Sequence, residues 1–359
     1  MRCVSGVQRE SNKCWLVKAE AKVLLYSIFL FIFLSLSCDN LEPSRMGIDY
    51  FSSMRDGGQR SHVGPILFVA SHGQWNHTSI GAFQLYSMEE DGTNIHQLTS
   101  DSAYSVTDGS FSPNGKSVAL ECYSLKDLAL IPSIYKMTIG RDTLERLTSM
   151  QGYHPVWSPD GEMIAFMVSW ISDPISLNGI GFITSDGTKE KDLSPQGNLE
   201  ILGNWSPDGT EISESTYGSV YDSLGNLAIY SQITFCNLNG VLLKTLGTDD
   251  NRMYYPIFAN KGDKIACMLQ RVRRHGYFGL ALLNLLTGNE TDLTSTEALG
   301  INIWRPVSFS PDDKELLFNG GVTDLRRIFI INLETGNVRE ITPSPMKFIQ
   351  SYAINWRRN

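Results

Sequence analysis

The residue types that could carry chemistry are concentrated in the longer, less repetitive segments of the chain. Tryptophan and tyrosine rings can stack on a ligand, arginine is a charged planar donor, and histidine can bind a metal or exchange a proton. The candidates for binding a ligand or partner are His72, Trp75, His77, Trp170, Tyr217, Tyr221, Arg271, Arg273, Arg274 and His275. A broad patch that mixes arginine with aromatic rings would favour a protein partner. Coplanar, exposed rings in one pocket would favour a glycan.

The sequence contains little that catalysis would need. There is no Gly-x-Ser-x-Gly nucleophile elbow, no P-loop, and no Gly-x-Gly-x-x-Gly segment after a strand. Of the six histidines, His72, His77, His154 and His275 could approach one opening of the fold. A metal-dependent lyase would require several of them to converge with carboxylates. We therefore expect a protein that is not an enzyme, with no catalytic residue, no bound metal and no cofactor.

Composition restricts the partners further. Hydrophobic residues make up 42% of the chain and charged residues 19%, which is typical of a globular protein. The formal net charge is −8, so the chain lacks the basic surface that nucleic-acid binding requires. We expect no nucleic-acid partner.

The amino terminus resembles an export signal. Basic residues precede an apolar run from Val23 to Leu36, which is shorter than the roughly 20 residues of a comfortable membrane span. Ser37 and Cys38 follow, and this junction resembles the lipobox of bacterial lipoproteins, in which the cysteine is lipidated. Ser35 departs from that pattern, which most often has leucine there. We expect residues 1–37 to be a lipoprotein signal peptide and Cys38 the lipidation site. A plain secretory signal and an uncleaved anchor remain alternatives.

The elements that must position the candidate residues come from an internal repeat. An aromatic residue followed by a tight turn recurs at intervals of 46 to 53 residues, a period typical of propeller blades. The openings are Phe111-Ser-Pro-Asn-Gly115, Trp157-Ser-Pro-Asp-Gly161, Trp205-Ser-Pro-Asp-Gly209, Phe258-Ala-Asn-Lys-Gly262, Phe309-Ser-Pro-Asp-Asp313 and Trp356 near the carboxyl end. Proline presets φ at the second turn position, and glycine supplies a positive φ at the fourth.

The rest of each unit also repeats. A short apolar strand follows the turn, then a longer strand, then a second turn such as Asp186-Gly187. Each unit closes on a leucine–threonine pair or a near equivalent: Leu98-Thr99, Leu147-Thr148, Leu193-Ser194, Leu246-Gly247, Leu293-Thr294 and Ile341-Thr342. Six openings and six closings predict an all-β, six-bladed propeller with four-stranded blades over residues 65–359. Residues 38–64 would form a tether.

Ring closure follows from the two incomplete ends. The unit from Ile66 to Thr99 has three strands but no aromatic opening, whereas the segment from Ser351 to Trp356 has an opening but no strands after it. We expect the carboxyl-terminal strand to pair with the amino-terminal blade, which would remove both open edges. The three strand cysteines, Cys122, Cys236 and Cys267, are expected to be small buried hydrophobes, with a Cys236–Cys267 disulfide left open.

Propeller geometry also assigns the loops to two faces. If each inner strand crosses the ring, the two kinds of tight turn share one face, here called the turn face. The links between second and third strands then share the opposite face, the loop face. All ten candidate binding residues fall in these longer, variable links, which is where a binding surface is expected.

The repeats resemble those of the TolB-type propeller family, which read Trp-Ser-Pro-Asp-Gly, then Ile-Ala-Phe, then Leu-Thr. The likeness covers about residues 65–359, and the copies at Phe258 and Phe309 are degenerate. The separate amino-terminal α/β domain of TolB is not expected, so the chain looks like a propeller-only relative. This resemblance implies a non-catalytic binding or scaffold module that engages an envelope protein or peptide through the loop face or central channel. A glycan or other small ligand is the alternative. The protein would be exported and held at the bacterial membrane by its lipid, in the periplasm or at the outer membrane.

Overall fold

The structure is a computed structural model that describes residues 63–71, 83–100, 103–126, 131–141, 143–172, 175–193, 199–221, 227–247, 251–271, 278–322, 325–343 and 351–357. These residues form six four-stranded antiparallel sheets arranged as the blades of a β-propeller. The predicted fold class and blade count are confirmed. Residues 1–62, which hold the expected signal peptide and all but the last two residues of the expected tether, lie outside the described residues.

Each blade runs from an inner to an outer strand. Blade 1 contains β1 (Ile66–Ser71), β2 (Phe83–Met88), β3 (His96–Gln97) and the last strand, β24 (Ser351–Trp356). Blade 2 contains β4 (Tyr104–Phe111), β5 (Ser117–Ser124), β6 (Pro132–Thr138) and β7 (Leu144–Arg146). Blade 3 contains β8 (Tyr153–Trp157), β9 (Met163–Ser172), β10 (Ile175–Thr184) and β11 (Glu190–Leu193).

The second half of the ring repeats this order. Blade 4 contains β12 (Leu199–Trp205), β13 (Glu211–Tyr221), β14 (Leu227–Asn237) and β15 (Leu242–Leu246). Blade 5 contains β16 (Asn251–Phe258), β17 (Lys264–Arg271), β18 (Phe278–Asn284) and β19 (Glu290–Ser295). A short helix, α1 (Thr296–Leu299), leads to blade 6, which contains β20 (Asn302–Phe309), β21 (Glu315–Val322), β22 (Leu325–Asn332) and β23 (Val338–Glu340). Among the described residues, no helix has the length and apolar character needed to cross a membrane.

The ring closes as the sequence predicts. β24 pairs antiparallel with β1, with Trp356 opposite Ile66 and Ser351 opposite Ala70. Asn319 of blade 6 holds the same strand from its other side, because its side-chain amide donates to the Ala353 carbonyl at 2.7 Å and its Oδ1 accepts from the Ala353 N–H at 2.9 Å. β24 is therefore fixed from two neighbouring blades.

The repeated aromatic residues fill the wedges between blades. All six are buried, from Phe111 to Trp356, each within a core built by the facing strands of adjacent sheets. The closing threonines have a different task. The Thr99, Thr148 and Thr342 hydroxyls each accept a hydrogen bond from a third-strand N–H, at 2.9, 3.0 and 2.9 Å. Cys122, Cys236 and Cys267 are buried and form no disulfide among the described residues, as expected for small core residues.

Side-chain hydrogen bonds close the tight turns. In the turn of blade 3, the Ser158 hydroxyl donates to Asp160 Oδ1 at 2.6 Å and accepts from the Met163 N–H at 2.9 Å. Equivalent bonds join Ser112 to Asn114, Ser206 to Asp208 and Ser310 to Asp312. Gly161, the fourth turn residue, has a φ of +76° and packs on Pro113 of the preceding blade.

Two tight turns depart from the Ser-Pro-Asp-Gly pattern, and hydrogen bonds between them make up for the missing residues. Asn260 stands in blade 5 where the other turns have proline, and Asp313 stands in blade 6 where they have glycine. The Asp313 carboxylate accepts from the Asn260 N–H at 2.8 Å, the Asn260 amide at 2.8 Å and the Lys261 N–H at 3.0 Å. Asp313 adopts a φ of +61°, a strained value for a residue other than glycine. Most of the other turns have glycine at this position, which adopts a positive φ without strain. The hydrogen bonds offset the strain at Asp313.

Candidate functional site

The inner strands β4, β8, β12, β16, β20 and β24 surround the central channel, and each pairs irregularly with its neighbour. The pairing register shifts near the middle of every one of them. Three of the shifts coincide with Pro155, Pro256 and Pro306, which have no N–H to give to a sheet. A β-bulge interrupts the regular alternation of side chains between the two faces of a strand and gives the bulged residue a new direction. The inner strands therefore carry such redirected residues halfway along the channel.

Two of the residues at these bulges have a strained backbone. His154 has a φ of +50° and Tyr255 a φ of +54°, the left-handed region that residues other than glycine rarely adopt. Side chains of the preceding blades hold both in place. The His154 N–H donates to Glu121 Oε2 at 3.0 Å, and the Tyr255 N–H donates to the Ser215 hydroxyl at 2.9 Å. Such strain persists where the surroundings enforce it, often at functional positions.

A charged network joins blades 2, 3 and 6 at this level. Asp108 Oδ2 lies 2.8 Å from His154 Nδ1 and 3.1 Å from both terminal nitrogens of Arg305. The Gly109 N–H donates to the other carboxylate oxygen at 2.8 Å. Glu121 lies beside them and accepts from the Thr107 hydroxyl at 2.8 Å.

The two carboxylates of the network titrate in opposite directions. Burial would raise the pKa of Asp108, but the positive charge of Arg305 and the contact with His154 outweigh it and lower that pKa to about 2. Burial raises the pKa of Glu121, and the negative charge of Asp108 raises it further. Asp108 is therefore the permanent anion, paired with Arg305. Burial also raises the pKa of Tyr255, so its hydroxyl stays protonated.

A belt of side chains links the blades just beyond the network. In three blades, the side chain of the residue before the repeated aromatic accepts a hydrogen bond. The donor is the backbone N–H of the repeated aromatic residue in the next blade. Ser110 Oγ accepts from Trp157 at 3.2 Å, Asn204 Oδ1 from Phe258 at 2.7 Å, and Asn355 Oδ1 from Phe111 at 3.2 Å. These bonds hold the inner strands together around the channel.

A cavity of about 270 Å³ extends from the network to the turn face. His154, Tyr255 and Arg305 line its inner end, and Pro113 and Pro159 of the tight turns line its outer end. Between them lie the belt residues and the wedge tryptophans. Among the described residues, no group of three or more His, Cys, Asp or Glu side chains could hold a metal ion. The cavity can bind a small polar group through hydrogen bonds.

The loop-face half of the inner strands carries aromatic rings. The guanidinium of Arg326 lies 5.5 Å from the ring centre of Trp304 and 4.8 Å from that of Tyr352. The rings of Tyr217 and Tyr254 are 5.4 Å apart. This half therefore mixes arginine with aromatic residues.

The structure describes only part of the predicted binding set. Tyr217 lies on β13 against Tyr254, and its pKa is raised by burial. Arg271 ends β17 and forms ion pairs with Glu290 at 2.7 Å and Asp292 at 2.6 Å. Trp170 and Tyr221 lie on β9 and β13, but the structure describes only their backbone. The remaining members, His72, Trp75, His77, Arg273, Arg274 and His275, lie outside the described residues, as does Cys38. Their role stays a prediction.

The channel residues are the ones that sequence reasoning missed, apart from His154. Two patterns could have identified them. His154, Tyr255 and Arg305 each stand directly before a proline, a few residues ahead of the repeated aromatic. A polar residue stands directly before that aromatic in four units: Ser110, Asn204, Ser308 and Asn355. Both patterns place polar groups where apolar inner-strand residues would otherwise be expected.

No protein-family model matches the sequence, and neither does the sequence of any curated protein. Solved structures share the fold. TolB from Acinetobacter baumannii is 18% identical with a TM-score of 0.58, over 89% of this chain and 72% of that one. A putative TolB from Agrobacterium tumefaciens is 15% identical with a TM-score of 0.55, over 82% of this chain and 99% of that one. Kuenenia stuttgartiensis hydrazine synthase is 13% identical with a TM-score of 0.60, over 83% of this chain and 48% of that one. These similarities confirm a TolB-like six-bladed propeller, a fold that also occurs in an enzyme.

Proposed function

We propose that this protein is a non-catalytic binding module that engages a protein or peptide partner through its central channel. The observation that carries the proposal is the cavity of about 270 Å³ bounded by the Asp108–His154–Arg305 network and the turn face. A partner can insert a side chain or a chain end there, where buried polar groups fix its orientation.

The setting we propose is the bacterial cell envelope. The TolB-like fold supports an envelope role, and the apolar run before Cys38 supports export and a lipid anchor. Two acyl chains would hold the protein firmly, since each buried methylene is worth about 0.8 kcal/mol. If Cys38 is lipidated, the Cys38→Ser variant will be released from membranes by mild washing. Tight membrane association of that variant would contradict the anchor.

A protein partner is favoured over a glycan by the loop-face half of the channel. Arg326 stacked between Trp304 and Tyr352 is the mixture of arginine and aromatic rings that is enriched at protein interfaces. The glycan alternative relies on Trp75 and Trp170 as stacking platforms, and their side chains lie outside the described part of the chain.

A non-catalytic role fits the contacts of His154. Its Nδ1 faces the permanently charged Asp108, the arrangement that orients a general base. Among the described residues, however, no serine or cysteine side chain forms a hydrogen bond with this histidine, as an activated nucleophile would. The network therefore resembles the wall of a binding site more than a catalytic centre.

The test is to block the channel. In the full chain, Ser308→Trp would place an indole in the cavity, because Ser308 lines it and its hydroxyl makes only weak contacts, at 3.2 and 3.5 Å. Leu286→Trp is the matched control on an exposed turn of blade 5. We expect Ser308→Trp to lose the partners captured from envelope extract and identified by mass spectrometry, while Leu286→Trp retains them. Equal capture by both variants would contradict channel binding.

The same assay examines the loop face. Trp170→Ala and Arg273→Ala are expected to weaken capture without lowering thermal stability, if the partner also covers the predicted loop-face residues. Loss of capture in these two variants with full capture by Ser308→Trp would move the site from the channel to the loop face.

A further inference from the structure

The amide and carboxylate oxygens at the cavity are already used by the protein itself. Asn204 Oδ1 and Asn355 Oδ1 accept the inter-blade hydrogen bonds from Phe258 and Phe111. Asp108 accepts from His154, Arg305 and Gly109. Hydrogen bonds within the ring therefore use the amide oxygens of Asn204 and Asn355 and the carboxylate of Asp108.

Donors remain in the same cavity lining. The Nδ2 amides of Asn204 and Asn355, the hydroxyl hydrogen of Ser110 and the hydroxyl of Tyr255 have no hydrogen-bond acceptor among the described residues. His154 Nε2 can accept a hydrogen bond while the ring is neutral, and the hydroxyl oxygens of Ser110 and Tyr255 can also accept one.

Two buried donors of the lining are also unpartnered. The indole N–H groups of Trp157 and Trp356 are buried and have no partner in the described structure. The corresponding N–H of Trp205 donates to the Val156 carbonyl at 3.0 Å, which shows how this position is satisfied when an acceptor is present. Both indole nitrogens are shielded from the cavity as well as from solvent, so they are not available to a ligand. The donors left for a ligand in the described lining are the side-chain groups of Asn204, Asn355, Ser110 and Tyr255.

We propose that the cavity binds a carboxylate group of the partner. This inference rests on the proposed channel function and names the chemistry of its ligand. A carboxylate has two oxygens that accept hydrogen bonds and no hydrogen to donate. It therefore matches a cavity wall whose donor groups have no acceptor in the described part of the protein. A sugar hydroxyl or an ammonium group would bring donors of its own. The charge of Asp108 does not repel the ligand, because Arg305 neutralises it at 3.1 Å.

The size of the cavity limits how the carboxylate is presented. A volume of about 270 Å³ admits a chain end or an acidic side chain of a protein partner, but not a folded segment. These two sources share the carboxylate, and small probes separate them, with a uronic acid as the probe for a glycan. Probes of this size have few atoms with which to gain binding free energy, so we expect dissociation constants on the order of millimolar.

The experiment titrates the full chain with pairs of probes that differ only in charge, using calorimetry or NMR. The pairs are acetyl-glycyl-glycine and its amide, acetyl-glutamate amide and acetyl-glutamine amide, and methyl galacturonide and methyl galactoside. We expect at least one carboxylate to bind about tenfold or more tightly than its neutral counterpart, because a hydrogen bond to a charged group is worth about 1.5–3 kcal/mol. The peptide pair with the larger ratio identifies the source, whereas a preference confined to methyl galacturonide would indicate a glycan and contradict the protein partner.

Variants then locate the binding. Asn355→Asp and Asn204→Asp keep the oxygen that holds the neighbouring blade but replace the amide donor with a second oxygen. Tyr255→Phe removes a donor without adding charge. Each should weaken carboxylate binding about tenfold or more. Asn284→Asp is the control, because Asn284 Oδ1 accepts two backbone N–H groups in an exposed turn away from the cavity.

The outcomes separate this inference from the proposed function. Equal binding of acids and neutral analogues, no binding of any acid, or unchanged binding by all three cavity variants would overturn the carboxylate assignment. Channel binding itself would still stand if Ser308→Trp loses its partner in the capture assay. Loss of carboxylate binding in Asn284→Asp as well would show a general charge effect and would also overturn the assignment.

Discussion

Replacing Trp356 by alanine removes the largest side chain at the seam where the ring closes. Trp356 is 1% exposed and packs with Ile66 and Phe68 of blade 1 and Leu317 and Ile330 of blade 6. Truncation of a buried tryptophan to alanine costs about 3–5 kcal/mol, because apolar burial is lost and a cavity remains. Domains are stable by only about 5–15 kcal/mol, so this is a large fraction.

The effect should reach the whole propeller because β24 joins three blades. It pairs with β1, its Ala353 is held by Asn319 of blade 6, and Asn355 accepts from Phe111 of blade 2. One kcal/mol shifts the melting temperature by about 2–4 °C in domains of roughly 150–250 residues, so a drop on the order of 10 °C is expected. Far-UV circular dichroism during heating and urea unfolding measures it.

The control is Trp304→Ala, which removes a half-buried tryptophan from the neighbouring inner strand. It should cost clearly less than Trp356→Ala, because less apolar surface is lost. The closure argument would be refuted if Trp356→Ala costs less than about 1 kcal/mol. It would also be refuted if the variant unfolds in two steps, with blades far from the seam unaffected.

Three further predictions concern the channel, the degenerate turns and the closing threonines. The folded pKa of Asp108 of about 2 is below its unfolded value of about 3.9, so Asp108 stabilises the fold above that unfolded value by on the order of 2 kcal/mol. This stabilisation is lost as pH falls from about 4 to 2, and Asp108→Asn should flatten the unfolding free energy over that window. Asp313→Ala should cost about 1–3 kcal/mol in urea unfolding, since it removes the acceptor of three hydrogen bonds from the preceding turn, whereas Asn260→Pro combined with Asp313→Gly should recover most of it. Thr342→Val should cost a similar amount, because a buried backbone N–H loses its acceptor, and hydrogen exchange of that amide should accelerate. An unchanged pH profile, a double variant as weak as Asp313→Ala, or an unchanged exchange rate would contradict the respective argument.

The fold was predictable because every blade repeats the same local solution. The aromatic residue, the proline and the glycine at fixed spacing specify a strand end and a tight turn, and the incomplete units at Ile66 and Ser351 specify the closure. Even the compensating turns could have been anticipated. The unit that lacks proline, at Asn260, is followed by the unit that lacks glycine, at Asp313.

The channel network was not predictable in the same way. Asp108 and Arg305 are 197 residues apart and meet only because blades 2 and 6 face the same axis. The strained φ of His154 depends on a hydrogen bond to Glu121 of the preceding blade. No local sequence pattern indicates that contact. The residues before the inner-strand prolines were visible as a pattern, but their inward direction follows from bulges that exist only once the strands are paired.

The central claim is that the partner enters the channel, and site-specific photo-crosslinking in living cells tests it most directly. A photoreactive phenylalanine derivative would replace Pro113, an exposed residue at the turn-face end of the cavity, or Leu286, an exposed residue of an outer turn. The account predicts one defined protein adduct from position 113 and none from position 286. Adducts from position 286 alone, or the same adducts from both positions, would contradict it.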